Sequence, residues 1–205
     1  MTAETKKTIK PKIMKVTTYF FRGIDLVYKP IEKFWHIFTN VSRLSEKEIE
    51  AASKVFGADS IRYDAVRVAE GKLLKRIPWL HKNRSFVTFY TINIHKPRDN
   101  SSEHLRTMVH ELTHVFQFEV IGSIYSWQAL RAQWAFRDKA YKYGDWKGLA
   151  ANRNQGWLFH DYNREQQGRI AQDYYGRVIE EGRLAEDYIR RAYEPFINEL
   201  RKGEL

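Results

Sequence analysis

The sequence predicts an α+β fold: a short sheet packed on one long helix, followed by a mainly helical C-terminal half. Three observations lead there. Two runs, Ser60–Glu70 and Ser85–Ile94, carry the β-branched and aromatic residues typical of strands. From Leu105 to Phe116 the apolar residues recur at helical period, and beyond Trp127 every patterned stretch is helical. A length of 205 residues suits one domain with an appended segment. Residues 1–43 read as a basic tail and an aromatic-rich segment, and residues 44–205 as the folded domain.

The elements follow in order. Residues 1–15 hold Lys6, Lys7, Lys10, Lys12 and Lys15 and read as a tail. Residues 16–40 are aromatic-rich, with Pro30 dividing two short elements that pack on the domain. Ser45 with Glu48 three positions on is a capping box, opening a helix that runs to Phe56 with Gly57 as its C-cap. The first strand run slips near Asp64; the second is the stronger. Pro97, Asp99 and Asn100 make a turn, and Ser101 or Ser102 caps the next helix, which Gly122 ends. Its stripe is Leu105, Met108, Val109, Leu112, Val115 and Phe116, which faces the sheet. A helix is expected over 127–143 and a loop from Gly144 to Gly156. Asn163 with Gln166 starts another helix through Ile170, Tyr174 and Val178, weakened by Gly176 and Gly182. The last runs from about Leu184 towards Leu200, and Pro195 should kink or end it.

Composition narrows the chemistry. Hydrophobic residues make up 43% of the chain, enough for a core and too many for a disordered polymer. There is no cysteine, which excludes disulfides and thiolate metal sites, so any metal must be held by His, Asp or Glu. The net charge of +10 is spread along the chain, so it describes a basic surface, and a nucleic-acid partner ranks lowest. Charged residues interrupt the apolar stretch 16–38, so it is too polar for a membrane span. No signal peptide is read; synthesis in the cytoplasm is expected, with any export by a route that needs none.

The sharpest feature is His110-Glu111-Leu112-Thr113-His114. Residues four apart lie on one helix face, so two imidazoles can converge on one ion. The glutamate beside the first can hold and deprotonate a water there. His110 and His114 point nearly opposite the apolar stripe, with Thr107 and Gln117 beside them. A catalytic zinc site usually takes three protein ligands. A metzincin would carry Gly at 117 and His at 120; this chain has Gln117 and Val120. Glu165 is the leading third ligand on spacing, near the start of a helix that can cross the first, with His160 and Asp161 as alternatives.

His110–Gln117 (HELTHVFQ) followed by Tyr162–Tyr175 (YNREQQGRIAQDYY) resembles a family of small bacterial zincin-like metallopeptidases whose genes lie near Rhs and type VI secretion genes. Val55–Gly57 and the strands after it add to the resemblance, which spans residues 44–176. It implies a zincin-like fold, Zn²⁺ on His110, His114 and Glu165, and Glu111 as the general base. It departs at Gly168, where the family has Ala; a glycine there should loosen the helix by up to ~1 kcal/mol. In the wider Glu-zincin class an Asp four residues after the ligand Glu supports a histidine. Here that position is Arg169, which leaves Asp173 to orient an imidazole.

The expected function is zinc-dependent peptide-bond hydrolysis, with Glu111 moving the proton. His160, Tyr162 and Tyr174 are the candidate oxyanion donors. A zincin fold implies a cleft beside the sheet edge, where a peptide or protein substrate adds as a strand. Two competing expectations are an injected effector with one narrow target, served by a secretion-apparatus protein, and a non-catalytic module in which zinc only ties helices together.

Overall fold

A computed structural model describes residues 27–70, 85–125, 128, 140–182 and 186–205, apart from 29, 31, 35, 38 and 39. The fold is α+β, with a small mixed sheet and mostly helical content. Four strands, β1 (Asn40–Arg43), β2 (Arg67–Glu70), β3 (Phe86–Thr88) and β4 (Thr91–Ile94), lie in the order β1-β2-β4-β3. β2 and β4 are parallel, with Val68 opposite Ile92; the other two pairs are antiparallel.

The strand expectations need two corrections. In the Ser60–Glu70 run only the last four residues are extended; Tyr63, Asp64 and Ala65 form a turn, at the point where the alternation slips. The Ser85–Ile94 run is two strands. Phe89 takes a left-handed conformation (φ 57°), and a two-residue turn folds β3 back on β4. β-rich composition gives no warning of a turn built from Phe89 and Tyr90. β1, from the aromatic-rich segment, completes one edge of the sheet by pairing with β2.

Helix α1 (Glu46–Phe56) starts at the expected capping box: Ser45 Oγ accepts from the Glu48 amide, and Glu48 accepts from the Ser45 amide at 2.7 Å. Glu48 is fully buried, and it also accepts from His104 Nε2 at 2.8 Å and from Arg98. One carboxylate therefore ties the start of α1 to the start of helix α2 (Ser102–Ile121). Ser101 caps α2, and Gly122 ends it at φ 72°. Met108, Val109, Leu112 and Val115 of α2 are fully buried in one core with Val68 and Ile92 of the sheet and Val55 of α1. Truncating Met108, Leu112 or Ile92 to alanine should cost ~2–5 kcal/mol.

The expected loop after Gly144 is helix α3 (Asp145–Asn154). Its two glycines hide it: Gly144 supplies the left-handed N-cap (φ 89°), and Gly148 lets the chain pass close to the Tyr143 carbonyl. Leu149 anchors it in the core. Helix α4 (Arg164–Tyr174) opens at the expected Asn163–Gln166 capping box and passes into a π-helical segment, Tyr175–Glu180. The last helix, α5 (Asp187–Arg201), continues past Pro195 without ending there. The proline leaves only the Arg191 carbonyl without its helical donor, on the exposed side, while Ala192, Tyr193, Phe196, Ile197 and Leu200 bury the other face. Packing overrides local propensity here.

The expected helix 127–143 lies mostly outside the described residues, as does the tail 1–15. The described residues between 27 and 37 are helical. Tyr28 packs on Phe89 and on the α2 residue Phe118, with ring centroids 5.4 Å away in each case. Glu32 accepts from the Tyr90 amide at 3.0 Å and from Thr91 Oγ1 at 2.8 Å. This segment therefore packs on the β3–β4 turn, while Phe34 and Ile37 remain exposed.

Candidate metal centre

The structure changes the expected setting of the two histidines. They do lie off the apolar stripe, but the C-terminal helices cover them, and every residue of α2 from Met108 to Phe118 is buried. His110 and His114 stand one turn apart, with their rings 5.0 Å from centre to centre and nearly perpendicular. Helix α4 crosses α2 and delivers Glu165 from its first turn. Glu165 Oε2 sits 3.5 Å from His110 Nε2 and 3.6 Å from His114 Nε2. These distances exceed ordinary hydrogen bonds. Ligand bonds near 2.1 Å in a tetrahedral shell place ligand atoms about 3.4 Å apart. The observed spacing thus fits three atoms facing one ion.

Two further observations test that fit. Among the described residues, the buried His110 Nδ1 and Glu111 Oε2 have no hydrogen-bond partner. A buried carboxylate oxygen without a donor is unfavourable unless something else completes it. The three side chains His110, His114 and Glu165, all buried, bring their ligand atoms within 4.8 Å of one another and could hold a metal ion.

Electrostatics among these side chains follow from the crowding. Burial alone opposes a charge on Glu165, but His114 and His110 outweigh it and hold the carboxyl well below its ordinary value. Burial also opposes the His114 imidazolium, and the Glu165 carboxylate outweighs it, lifting His114 to about 9. Burial pushes Glu111 up, and the two histidines offset this only in part. A carboxyl drawn towards neutrality beside two imidazoles suits a group that takes up a proton.

The other sequence candidates have partners of their own. Asp173 does not orient His110: its carboxylate accepts from Tyr143 OH at 2.7 Å and from Arg169 Nε at 3.1 Å. His160 is about half exposed and lies 3.9 Å from Asp161, on a 3-10 turn rather than in the cluster. Tyr162 is buried; its hydroxyl accepts from Asn152 Nδ2 and its ring packs on Phe196. Tyr174 is a core residue beside Tyr193. Each is held by packing or by a local partner, which spacing on a helical wheel does not reveal.

Sequence reasoning missed four neighbours. Tyr125 stacks on His114 at 6.0 Å and Tyr141 lies 6.1 Å from His110, centre to centre. Gln167 is fully buried and bonds Gln117, whose role the sequence left open. Gly168 lies against the His110 ring; a Cβ there would stand 2.9 Å from His110 Cε1. The nearest available signals were the spacings of Gln117, three residues after His114, and of Gln167 and Gly168, two and three residues after Glu165.

A partial relative gives the chain a context. Over 139 residues it is 31% identical to the type VI secretion system spike protein VgrG2b of Pseudomonas aeruginosa. That stretch is 64% of this chain and 13% of the spike protein, so the chain spans a small part of the relative's length. No family model and no solved structure matches the chain. Among the described residues, no helix is long and apolar enough to cross a membrane.

Proposed function

We propose that the chain is a zinc-dependent metallopeptidase of zincin-like type. The observation that carries this reading is the buried His110–His114–Glu165 triad with the unpartnered Glu111 carboxylate oxygen beside it. Two imidazoles and a carboxylate suit Zn²⁺, which when bound supplies Lewis-acid polarisation of a carbonyl and acidification of water. Glu111 then takes a proton from the attacking water and returns it to the leaving amine. Burial excludes bulk water and strengthens these interactions. β3, an outer strand of the sheet, is the element to which a peptide substrate would add.

The partial likeness to a spike protein supports a second, compatible reading: a secretion-associated effector that acts on one target protein after signal-peptide-independent delivery. Elemental analysis and peptide hydrolysis test the first reading together. The wild type should hold about one zinc per chain; Glu165→Ala should lose it; Glu111→Gln should keep it and lose hydrolysis. Zinc-loaded wild type that cleaves neither generic peptides nor any protein of a target-cell lysate would sink the peptidase reading.

A further inference from the structure

His114 is not merely near a metal site; its ring is wired to the first turn of α4. Its Nδ1 lies 2.9 Å from Gln117 Oε1, within hydrogen-bond distance. Gln117 Nε2 donates in turn to Gln167 Oε1 at 2.9 Å and to the Arg164 carbonyl at 3.3 Å. Gln167 Nε2 donates to the Phe159 carbonyl at 3.1 Å, and Arg164 Nη1 donates to Gln167 Oε1 at 2.9 Å. Both glutamines are fully buried, so no water can substitute freely for a lost partner.

The direction of this chain is not free. A guanidinium only donates, and a backbone carbonyl only accepts. Arg164 on one side and Phe159 O on the other therefore force the Gln167 amide to turn its oxygen towards Gln117. Gln117 must then present its nitrogen to Gln167 and to Arg164 O, which leaves its oxygen facing His114. An oxygen there accepts a hydrogen, so Nδ1 carries one and the Nε2 lone pair is left for the ion. Nε2 is the atom that faces Glu165. His110 has no such support, since its Nδ1 lacks a partner among the described residues.

We infer that Gln117 and Gln167 are positioning residues: a buried amide relay, anchored by the Arg164 guanidinium and the Phe159 carbonyl, holds His114 as the Nδ1–H tautomer with Nε2 presented to the metal. This rests on the metal-site reading. It also makes the first turn of α4 do two things, supplying the third ligand at Glu165 and setting the proton on the second ligand through its neighbours at 164 and 167. Partners that orient a ligating imidazole typically change metal affinity 10–100-fold.

The test uses the full chain loaded with zinc, as wild type, Gln117→Met and Gln117→Glu. Long-range ¹⁵N–¹H NMR reports which His114 nitrogen carries hydrogen and how fast that hydrogen exchanges; chelator competition reports zinc affinity. Wild type should show a slowly exchanging Nδ1–H. Gln117→Met, whose thioether is at best a weak acceptor, should lose that protection and bind zinc about 10–100-fold more weakly. Gln117→Glu keeps an oxygen for the Nδ1 hydrogen but loses the N–H given to Gln167 Oε1 and the Arg164 carbonyl, so it should keep the Nδ1 hydrogen and recover only part of the affinity. Hydrogen on Nε2 in the wild type would overturn the inference, as would a Met variant that keeps the slowly exchanging Nδ1–H. Equal zinc affinity in all three proteins would overturn the relay alone, whereas a wild type that binds no zinc would overturn the metal reading itself.

Discussion

Gly168→Ala separates two opposing effects at the candidate metal centre. In an isolated helix the change should help, because alanine is favoured over glycine by ~1 kcal/mol. The tertiary structure reverses the expectation. The new Cβ would stand 2.9 Å from His110 Cε1, 3.0 Å from Nδ1 and 3.1 Å from Nε2. Ordinary contact begins near 3.4 Å, so the ring or α4 must retreat by about 0.5 Å. Overpacking of that kind costs ~1–3 kcal/mol. Net of the helix preference, the fold should lose about 0–2 kcal/mol. Metal binding is less tolerant, because ligand distances hold to about ±0.2 Å. A penalty of ~1–2 kcal/mol on the loaded state lowers affinity about 5–30-fold. Chelator competition measures the affinity, and urea unfolding of the metal-free protein measures the fold. Gly176→Ala is the control: its Cβ meets Arg106, a partly exposed side chain that can move, so zinc affinity should be unchanged. A Gly168→Ala protein that is more stable and binds zinc as the wild type does would refute the steric argument.

Four further outcomes follow from the geometry. Zinc at 100 times its dissociation constant should stabilise the protein by ~2.7 kcal/mol, which raises the Tm of a chain this size by about 5–10 °C; Glu165→Ala should abolish that shift in a thermal scan. Zinc must displace the His114 proton, held to about 9, so affinity should climb by about tenfold per pH unit from pH 7 and level off above 9; a flat profile over that range would contradict it. The Glu48 carboxyl is drawn down from 4.5 to about 2: burial works against its ionisation, but His104, Arg98 and the Ser45 amide outweigh it. Its stabilising contribution is therefore complete above pH 4.5 and is lost as pH falls towards 2, so Glu48→Gln should be less stable at pH 7, by about 3 kcal/mol, and show a shallower acid limb in denaturant titrations. Tyr143→Phe removes the hydroxyl that bonds Asp173 at 2.7 Å and the buried Tyr193 hydroxyl at 2.6 Å, and calorimetry should register a loss of about 1–3 kcal/mol.

Much of the local structure was legible in the sequence. A capping box is written in adjacent residues, so Ser45–Glu48 and Asn163–Gln166 marked two helix starts correctly. The helical stripe of α2 also read true, because burial against a sheet imposes its period directly on the chain. The failures were of another kind. Pro195 and the glycines at 144 and 148 carry strong local preferences against helix, yet α5 and α3 form because the tertiary core rewards them. The Phe89–Tyr90 turn carries no Gly, Asn or Asp to announce it.

The sequence by itself determined that two imidazoles share one helix face with a glutamate between them, since a spacing of four on a 3.6-residue helix permits little else. It also narrowed any metal ligand to His, Asp or Glu, because the chain has no cysteine. Only the tertiary structure decided which distant carboxylate joins them and what supports the ring. The crossing of α2 and α4 brings Glu165 to within 3.5 and 3.6 Å of the two Nε2 atoms, sets Gly168 against His110, and joins Gln117 to Gln167. Those contacts depend on where two helices cross, which is set by the packing of every side chain between them and not by any local run of residues.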